Sequence, residues 1–201
     1  MGGGSAAALE RLDQVTRRLR RECPWDREQD ELSIVPHTVE EAYELADAAR
    51  SGDDGKLLDE LGDVLFQVLF LSLLLEERGA GDLTAVADGC REKLIRRHPH
   101  VFGESRAETA GEVLASWNRI KREDERGGEV FGELPENLPA TLYAKKVLRR
   151  AGDAGLPGPA PADDPGGRLL AAVRNAVAAG ADPELALRGA ADDYRRQLER
   201  S

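Results

Sequence analysis

The chain has 201 residues, with 28 Lys and Arg against 38 Asp and Glu, and a formal net charge of −10. This length fits one domain with a small appendage and is long enough to bury a hydrophobic core. So acidic a chain repels nucleic-acid backbones and anionic membranes, which argues against a nucleic-acid polymer or a lipid surface as its partner.

The composition also bears on the cellular compartment. Only two cysteines occur, Cys23 and Cys90, which excludes a disulfide framework and a zinc-type cysteine cluster. The first residues lack the basic and apolar regions of a signal peptide. The longest apolar stretch, residues 64–75, is too short to span a bilayer. We therefore expect a cytoplasmic protein with no membrane partner.

Apolar residues recur at helical spacing along most of the chain, and no segment alternates apolar and polar residues long enough to predict a strand. The first predicted helix covers 6–22 and ends before Cys23, because a residue that precedes proline avoids the helical region. A second should begin near Thr38, since Thr38 and Glu41 fit a capping box.

A third predicted helix is capped by Asp53 and Asp54 and runs to about Arg78. From Val64 onward it is apolar almost all round, which predicts a place at the centre of a bundle or in a subunit interface. Further helices are predicted at 82–97, 108–125, 139–152, 168–180 and 183–199.

Residues 151–167 contain nine Gly and Pro among seventeen positions, a composition typical of an extended linker. We therefore predict a helical catalytic domain over 1–150, a linker over 151–167 and a short helical tail over 168–201.

The acidity is concentrated in one stretch. Residues 36–63 contain nine acids and only two bases, Arg50 and Lys56, so these 28 residues carry a charge of −7. The spacing of Glu40, Glu41 and Glu44 places the three on one side of a helix, opposite an apolar stripe.

On the next helix, Lys56, Glu60, Asp63 and Gln67 share a polar stripe. A short connection around 51–55 makes the two helices antiparallel neighbours, so that Glu41, Glu44, Glu60 and Asp63 would face one another. A solvated acidic face is the simplest interpretation of either helix alone. The pairing of two such motifs instead favours an all-oxygen site for Mg²⁺ or Mn²⁺.

A cationic segment complements these acids. Arg91, Lys93, Arg96 and Arg97 lie within seven residues near the end of the fourth predicted helix. Basic residues at a helix C-terminus are favoured by the helix dipole, which is a sufficient structural reason for them. In a chain this acidic, they are also a candidate phosphate clamp.

Two aromatic segments have simpler interpretations. Trp117 lies one helical turn before Lys121, an arrangement that suits stacking on a base but also fits an ordinary amphipathic helix. For His98 and His100, a capping or packing role is favoured over metal binding. Both cysteines are interpreted as buried or bystander thiols.

Taken together, these residues resemble the MazG nucleoside triphosphate pyrophosphohydrolases. The resemblance covers about residues 9–150 and rests on motifs in the family's order and spacing. They are Cys23-Pro-Trp-Asp26, Gln29, Glu40-Glu-x-x-Glu44, Glu60-Leu-Gly-Asp63, Lys93-Leu-Ile-Arg-Arg-His-Pro-His-Val-Phe102 and Trp117-x-x-x-Lys121.

The resemblance implies an all-α antiparallel helical bundle that hydrolyses nucleoside triphosphates, including deoxynucleotides, to monophosphate and pyrophosphate with Mg²⁺. It also implies a homodimer or higher homo-oligomer and a function in nucleotide-pool housecleaning. The implied metal ligands are Glu41, Glu44, Glu60 and Asp63, with Glu41 and Glu40 as catalytic carboxylates. The implied substrate contacts are Lys56, Lys93, Arg96 and Arg97 for the triphosphate and Trp117 for the base, with Lys121 as a further substrate-binding residue.

One departure concerns the tail, because some family members carry two such modules. The tail resembles the degenerate end of a second module, with Gly167 at a ligand position and no Glu-Glu-x-x-Glu before it. It therefore cannot build a metal site. Two alternatives stay open: a sister enzyme specific for one substrate such as dUTP, and a nucleotide- or metal-binding scaffold with little or no turnover.

Overall fold

The computed structural model describes residues 3–126, 130–135, 137–159 and 162–200, without the side chains of Arg122, Glu125 and Arg126. Over these ranges the chain consists of α-helices joined by turns and irregular segments, and no strand occurs in them. This confirms the all-α prediction. The chain divides into two compact units, Met1–Leu94 and Ile95–Ser201.

The helices follow the sequence prediction closely in most places. Their bounds are α1 Gly3–Glu22, α2 Pro24–Glu28, α3 Glu31–Ser51, α4 Asp54–Glu77, α5 Leu83–Arg97, α6 Pro99–Phe102, α7 Ala110–Arg126, α8 Ala140–Asp153, α9 Pro165–Ala178 and α10 Pro183–Glu199. Among the described helices, none is long and apolar enough to cross a membrane.

The centre of the first unit is the hairpin of α3 and α4. Gly52 has a φ of 71°, a left-handed conformation that ends α3. The Asp53 side chain then accepts hydrogen bonds from the backbone N–H groups of Gly55 and Lys56 and begins α4, as predicted. So short a connection makes the two helices antiparallel neighbours over their length, which confirms the predicted pairing.

The predicted start of the second helix at Thr38 is wrong. The helix begins at Glu31, seven residues earlier, and its capping box is formed by Asp30 and Ser33. Pro36 lies inside α3 and removes one backbone donor. The helix continues through this gap in its backbone hydrogen bonds, because Pro36 is exposed and the neighbouring Ile34, which is 1% exposed, anchors this part of α3 in the core.

The core of the first unit lies between α3 and α4. Ile34, Phe70 and Leu74 are buried together, with Phe66 and Leu71 packed against them. Burying side chains of this size stabilises a fold by about 1.5–3 kcal/mol each. Helix α1 joins the same unit through two paired arginines: Arg17 with Glu76 and Arg20 with Glu77.

In the second unit, α8, α9 and α10 pack against one another. The Lys145 ammonium lies 2.6 Å from an Asp182 oxygen, and the same carboxylate caps the start of α10. Helix α8 extends to Asp153 and α9 begins at Pro165, so helical residues enter both ends of the predicted linker. Within that linker, residues 160 and 161 lie outside the described ranges. The predicted domain boundaries stay a prediction.

Candidate metal centre and phosphate contacts

The α3–α4 hairpin brings three carboxylates together. Oxygens of Glu41, Glu60 and Asp63 lie within 4.8 Å of one another. Glu60 and Asp63 are three residues apart and therefore neighbours on the surface of α4, while Glu41 reaches them from α3. The structure thus joins the two acidic motifs that the sequence places on separate helices.

Within the described residues, no donor is hydrogen-bonded to these three carboxylates. One oxygen of Glu60, Oε2, is buried and has no hydrogen-bond partner there. Burial raises the pKa of Glu41, and the charges of Asp63 and Glu44 raise it further. Burial also raises the pKa of Glu60, with further contributions from Glu44 and Asp63. A hard divalent cation accepts oxygen ligands of this kind, so the residues present fit a Mg²⁺ or Mn²⁺ site.

The other two predicted carboxylates lie outside this close group. Glu44 is exposed, but its charge contributes to the raised pKa of both Glu41 and Glu60, which places it near them. Glu40 is also exposed, and its Oε2 lies 3.6 Å from Nδ1 of His37. Glu40 is therefore a solvent-facing neighbour of the three clustered carboxylates.

Two of the predicted phosphate contacts belong to the same unit as the carboxylates. Lys56 lies in the first turn of α4, on the same stripe as Glu60 and Asp63, and Lys93 lies on α5. Both lysines are exposed, and neither forms an ion pair in the part of the chain that the structure describes. Their ammonium groups are available to an anionic ligand.

The two predicted arginine contacts lie in the second unit and share one carboxylate. Arg96 donates from Nε to Oδ1 and from Nη2 to Oδ2 of Asp124, both at 3.0 Å. Arg97 donates from Nε to the same Oδ2 at 3.2 Å. The Arg96 side chain is 54% exposed, whereas that of Arg97 is only 7% exposed. The sequence predicts the same phosphate contact for both arginines, but in the fold the Arg96 side chain is exposed and the Arg97 side chain is buried.

Trp117 and the histidines form an aromatic group beside this ion pair. The guanidinium carbon of Arg97 lies 5.5 Å from the centre of the Trp117 ring, and the ring centre of His98 lies 4.8 Å from it. His98 begins α6 without a side-chain capping bond. Of the two roles predicted for His98, the contacts therefore support packing. Lys121, one turn after Trp117, is half-buried.

Sequence reasoning missed Asp124 altogether and missed the hydrogen-bond partner of Gln67. Asp124 follows Trp117 by seven residues on α7, so helical periodicity would have placed it on the face shared by Trp117 and Lys121. Gln67 is buried and accepts a hydrogen bond from the Thr38 hydroxyl at 3.3 Å. That bond joins α3 and α4 one turn from the acidic group.

No comparable group occurs in the described residues of the tail. Among the described residues, the close set of potential metal ligands consists of Glu41, Glu60 and Asp63. At Gly167, which occupies a ligand position of the predicted second module, a Cβ would collide with the backbone of Ala162. An aspartate therefore could not replace Gly167 without a shift of the backbone.

Known proteins are similar to this chain over much of its length. Residues 29–102 match the family model of the MazG nucleotide pyrophosphohydrolase domain, a range that holds all three clustered carboxylates. An uncharacterised 26.1 kDa protein from the blaB 3′ region of Streptomyces cacaoi is 42% identical over 200 residues, covering 94% of this chain and 80% of its own length. The chain belongs to the MazG family.

Other MazG relatives match a shorter part of the chain. The nucleoside triphosphate pyrophosphohydrolase of Escherichia coli K12 is 40% identical over 153 residues, which cover 73% of this chain and 58% of the relative. The crystal structure of a mazG-related protein from Thermotoga maritima is 26% identical, with a TM-score of 0.49, and covers 56% of this chain and 98% of that one. The Streptomyces relative, by contrast, extends over the tail as well.

Replacing Glu60 by Gln should raise the Tm of the metal-free protein at pH 7. The raised pKa of Glu60 means that its ionised form is disfavoured in the folded state, and the amide removes that charge. The penalty exists only while Glu60 is ionised. The gain in Tm should therefore shrink as the pH falls through the raised pKa toward the ordinary value of 4.5.

The measurement is thermal unfolding followed by circular dichroism in EDTA over a pH series. Asp47→Asn is the matched control, because Asp47 is an exposed carboxylate of α3 that pairs with Arg50 outside the acidic group. A Glu60→Gln protein no more stable than Asp47→Asn at pH 7 would contradict the cost of ionising Glu60 in the folded state.

Proposed function

We propose that this chain hydrolyses nucleoside and deoxynucleoside triphosphates to nucleoside monophosphate and pyrophosphate, with Mg²⁺ or Mn²⁺ as the cofactor. The observation that carries the proposal is the group formed by Glu41, Glu60 and Asp63 in a chain of the MazG family. Among the described residues, the buried Oε2 of Glu60 has no hydrogen-bond partner. Carboxylate-bound Mg²⁺ in proteins commonly serves phosphate chemistry. A housecleaning role in the nucleotide pool would follow.

In this proposal each acidic residue has a stated role. Glu41, Glu60 and Asp63 hold the cation, and Glu44 completes the set from its nearby exposed position. A cation held by these residues would supply neutralisation of charge on phosphate oxygens and a lowered pKa of a bound water. Glu40, exposed beside Glu41, orients the attacking water.

The cationic residues act on the triphosphate. Lys56 and Lys93 offer exposed ammonium groups, and Arg96 offers a guanidinium that is 54% exposed. Positive charges of this kind stabilise the charge that develops on a pyrophosphate leaving group. Trp117 and Lys121 contact the nucleotide.

Turnover of a panel of ribo- and deoxynucleoside triphosphates with Mg²⁺ tests the proposal, with products separated by ion exchange. We expect monophosphate and pyrophosphate from the wild-type protein. Loss of an outer-shell metal contact costs about 10–100-fold, so loss of a ligand itself in Glu41→Gln or Asp63→Asn should reduce kcat to below about one hundredth. Circular dichroism should show an unchanged helical fold.

Asp47→Asn serves as the control, since it removes a carboxylate of α3 outside the group and should keep its activity. Wild-type rates in Glu41→Gln or Asp63→Asn would contradict the site, and diphosphate with inorganic phosphate would contradict the reaction. Nucleotide binding without product would favour the scaffold alternative. Turnover of one nucleotide alone, such as dUTP, would favour the specific sister enzyme.

We further propose that the chain forms a homodimer or a higher homo-oligomer through the apolar face of the hairpin. Four apolar residues at helical spacing on α4 stay exposed: Leu58 at 75%, Leu61 at 49%, Leu65 at 39% and Val68 at 40%. On α3, Leu32, Val35 and Val39 are exposed as well. Burying apolar surface yields about 25 cal/mol per Å², so a second copy placed on this face would be stabilised by it.

Replacing Leu65 by Glu should dissociate the oligomer, because a buried unpaired charge opposes association. Sedimentation velocity provides the measurement, with Leu187→Glu as the control at an exposed leucine of α10. We expect the wild type and Leu187→Glu to sediment as oligomers and Leu65→Glu as a monomer. A monomeric wild-type protein, or an oligomeric Leu65→Glu, would contradict this interface.

A further inference from the structure

Trp25 is a large aromatic side chain of the first unit, the unit that also holds the clustered carboxylates. It is 50% exposed, although an indole enclosed in the core would bury more apolar area and so stabilise the fold more. An exposed indole offers a flat apolar surface and one N–H donor to a ligand. The ring is therefore a candidate contact for a planar ligand.

The backbone around Trp25 is tied to the core. Arg20 on α1 donates from Nη1 to the backbone carbonyls of Asp26 and Gln29. The same guanidinium lies over the ring of the buried Phe70, with its carbon 5.8 Å from the ring centre. The side-chain amide of Gln29 in turn donates to the Trp25 carbonyl at 2.8 Å. These bonds fix the short helix α2, so the exposed indole belongs to a well-anchored segment.

The ring of Trp25 lies against His37 of α3. The two ring centres are 5.8 Å apart and the ring planes meet at 68°, which is an edge-to-face contact. Rings in such a contact do not stack, so at least one face of the indole stays clear of the imidazole. Nδ1 of His37 lies 3.6 Å from Oε2 of Glu40. The contact therefore places Trp25 beside the acidic motif of α3.

His37 lies on the same side of α3 as the acidic motif. With 3.6 residues per turn, His37, Glu40 and Glu41 fall within about 100° of one another around the helix axis. Three exposed apolar residues of α3 lie on the opposite side: Leu32, Val35 and Val39. Trp25, which contacts His37, thus lies on the carboxylate side of the helix and not on the apolar face proposed for the oligomer.

We propose that the indole of Trp25 stacks on the base of the nucleotide whose phosphates lie at the group of Glu41, Glu60 and Asp63. This inference rests on the proposed function for its ligand, a nucleoside triphosphate. From Glu41, one helical turn leads to His37 and one ring contact leads to Trp25, a span that the sugar and phosphates of a nucleotide can cover. Every base has a flat aromatic surface, so stacking alone accepts many bases.

Two other roles for Trp25 make different predictions. If the indole only packed on His37 and kept the acidic turn in place, its removal would weaken every ligand of the site, with or without a base. If it contacted a second copy of the chain, its removal would lower the sedimentation velocity of the protein. A stacking role affects only ligands that carry a base.

The test is Trp25→Ala, with Tyr194→Ala as the control, because Tyr194 is an exposed aromatic side chain of α10 in the second unit. Alanine substitution of an aromatic that stacks on a base weakens binding by about five- to a hundredfold. We expect the KM for nucleoside triphosphates to rise by about fivefold or more in Trp25→Ala, with kcat nearly unchanged, and Trp25→Phe to restore most of it.

The matched ligand is inorganic tripolyphosphate, which has the phosphates of the substrate and no base. Its inhibition constant against nucleotide hydrolysis should be the same in Trp25→Ala and in the wild type. Tyr194→Ala should match the wild type in both the KM and the inhibition constant.

A second readout does not require turnover. The sequence holds two tryptophans, so in a Trp117→Phe background the tryptophan emission comes from Trp25. A nucleoside triphosphate titrated to saturation should quench this emission, because the stacked base lies against the indole, whereas tripolyphosphate should not. This measurement keeps the proposal testable if Trp25→Ala fails to fold.

Each outcome supports or overturns the inference. An unchanged KM in Trp25→Ala, an equal loss of tripolyphosphate inhibition, a smaller sedimenting species or a Trp25 emission that nucleotide leaves unchanged overturns it, while hydrolysis by the wild type keeps the proposed function intact. Quenching without any product would overturn the hydrolysis and leave the stacking in place. A raised KM with an unchanged tripolyphosphate constant and base-dependent quenching supports both.

Discussion

The repulsion among three carboxylates is the constraint on which the rest of the molecule depends. Carboxylate oxygens of Glu41, Glu60 and Asp63 lie within 4.8 Å of one another, and in the part of the chain that the structure describes a buried oxygen of Glu60 has no donor. Like charges so close destabilise a fold unless a cation or a proton compensates them. Burial and, after it, the charges of the neighbouring carboxylates raise the pKa of both Glu41 and Glu60. A cluster of carboxylates whose ionised forms destabilise the folded state indicates a binding site, because the cluster does not itself contribute to stability.

The α3–α4 hairpin can tolerate this repulsion because its core lies elsewhere along the same helices. Phe70 and Leu74 bury the later turns of α4 against Ile34 near the start of α3. The acidic turns at Glu41 and Glu60 lie toward the connection that joins the two helices. Between them, the bond from Thr38 to Gln67 links the helices. The core residues and the acidic residues thus lie on successive turns of the same two helices. At the end of the hairpin that holds the core, α1 forms ion pairs through Arg17 and Arg20.

Much of this arrangement can be predicted from the sequence, and the exceptions have physical reasons. Asp53 predicts the start of α4 because a side-chain cap acts locally, and the short connection predicts the antiparallel pairing. The predicted start of α3 is wrong because Thr38 and Glu41 also fit a capping box, whereas the box that forms is that of Asp30 and Ser33. The Thr38 hydroxyl instead donates a hydrogen bond to Gln67 on α4. The difference between Arg96 and Arg97 could not be predicted either. It depends on a carboxylate 27 or more residues away and on the packing of Trp117, which no local pattern encodes.

The central claim is that Glu41, Glu60 and Asp63 form a divalent-cation site. The most direct test is a crystal of the full chain grown or soaked with Mn²⁺, with an anomalous difference map calculated at the manganese edge. The account predicts a peak within coordination distance of oxygens from all three carboxylates, and its loss in Glu60→Gln crystals treated in the same way. A map without a peak at these residues, or with manganese bound only elsewhere on the chain, would contradict the account.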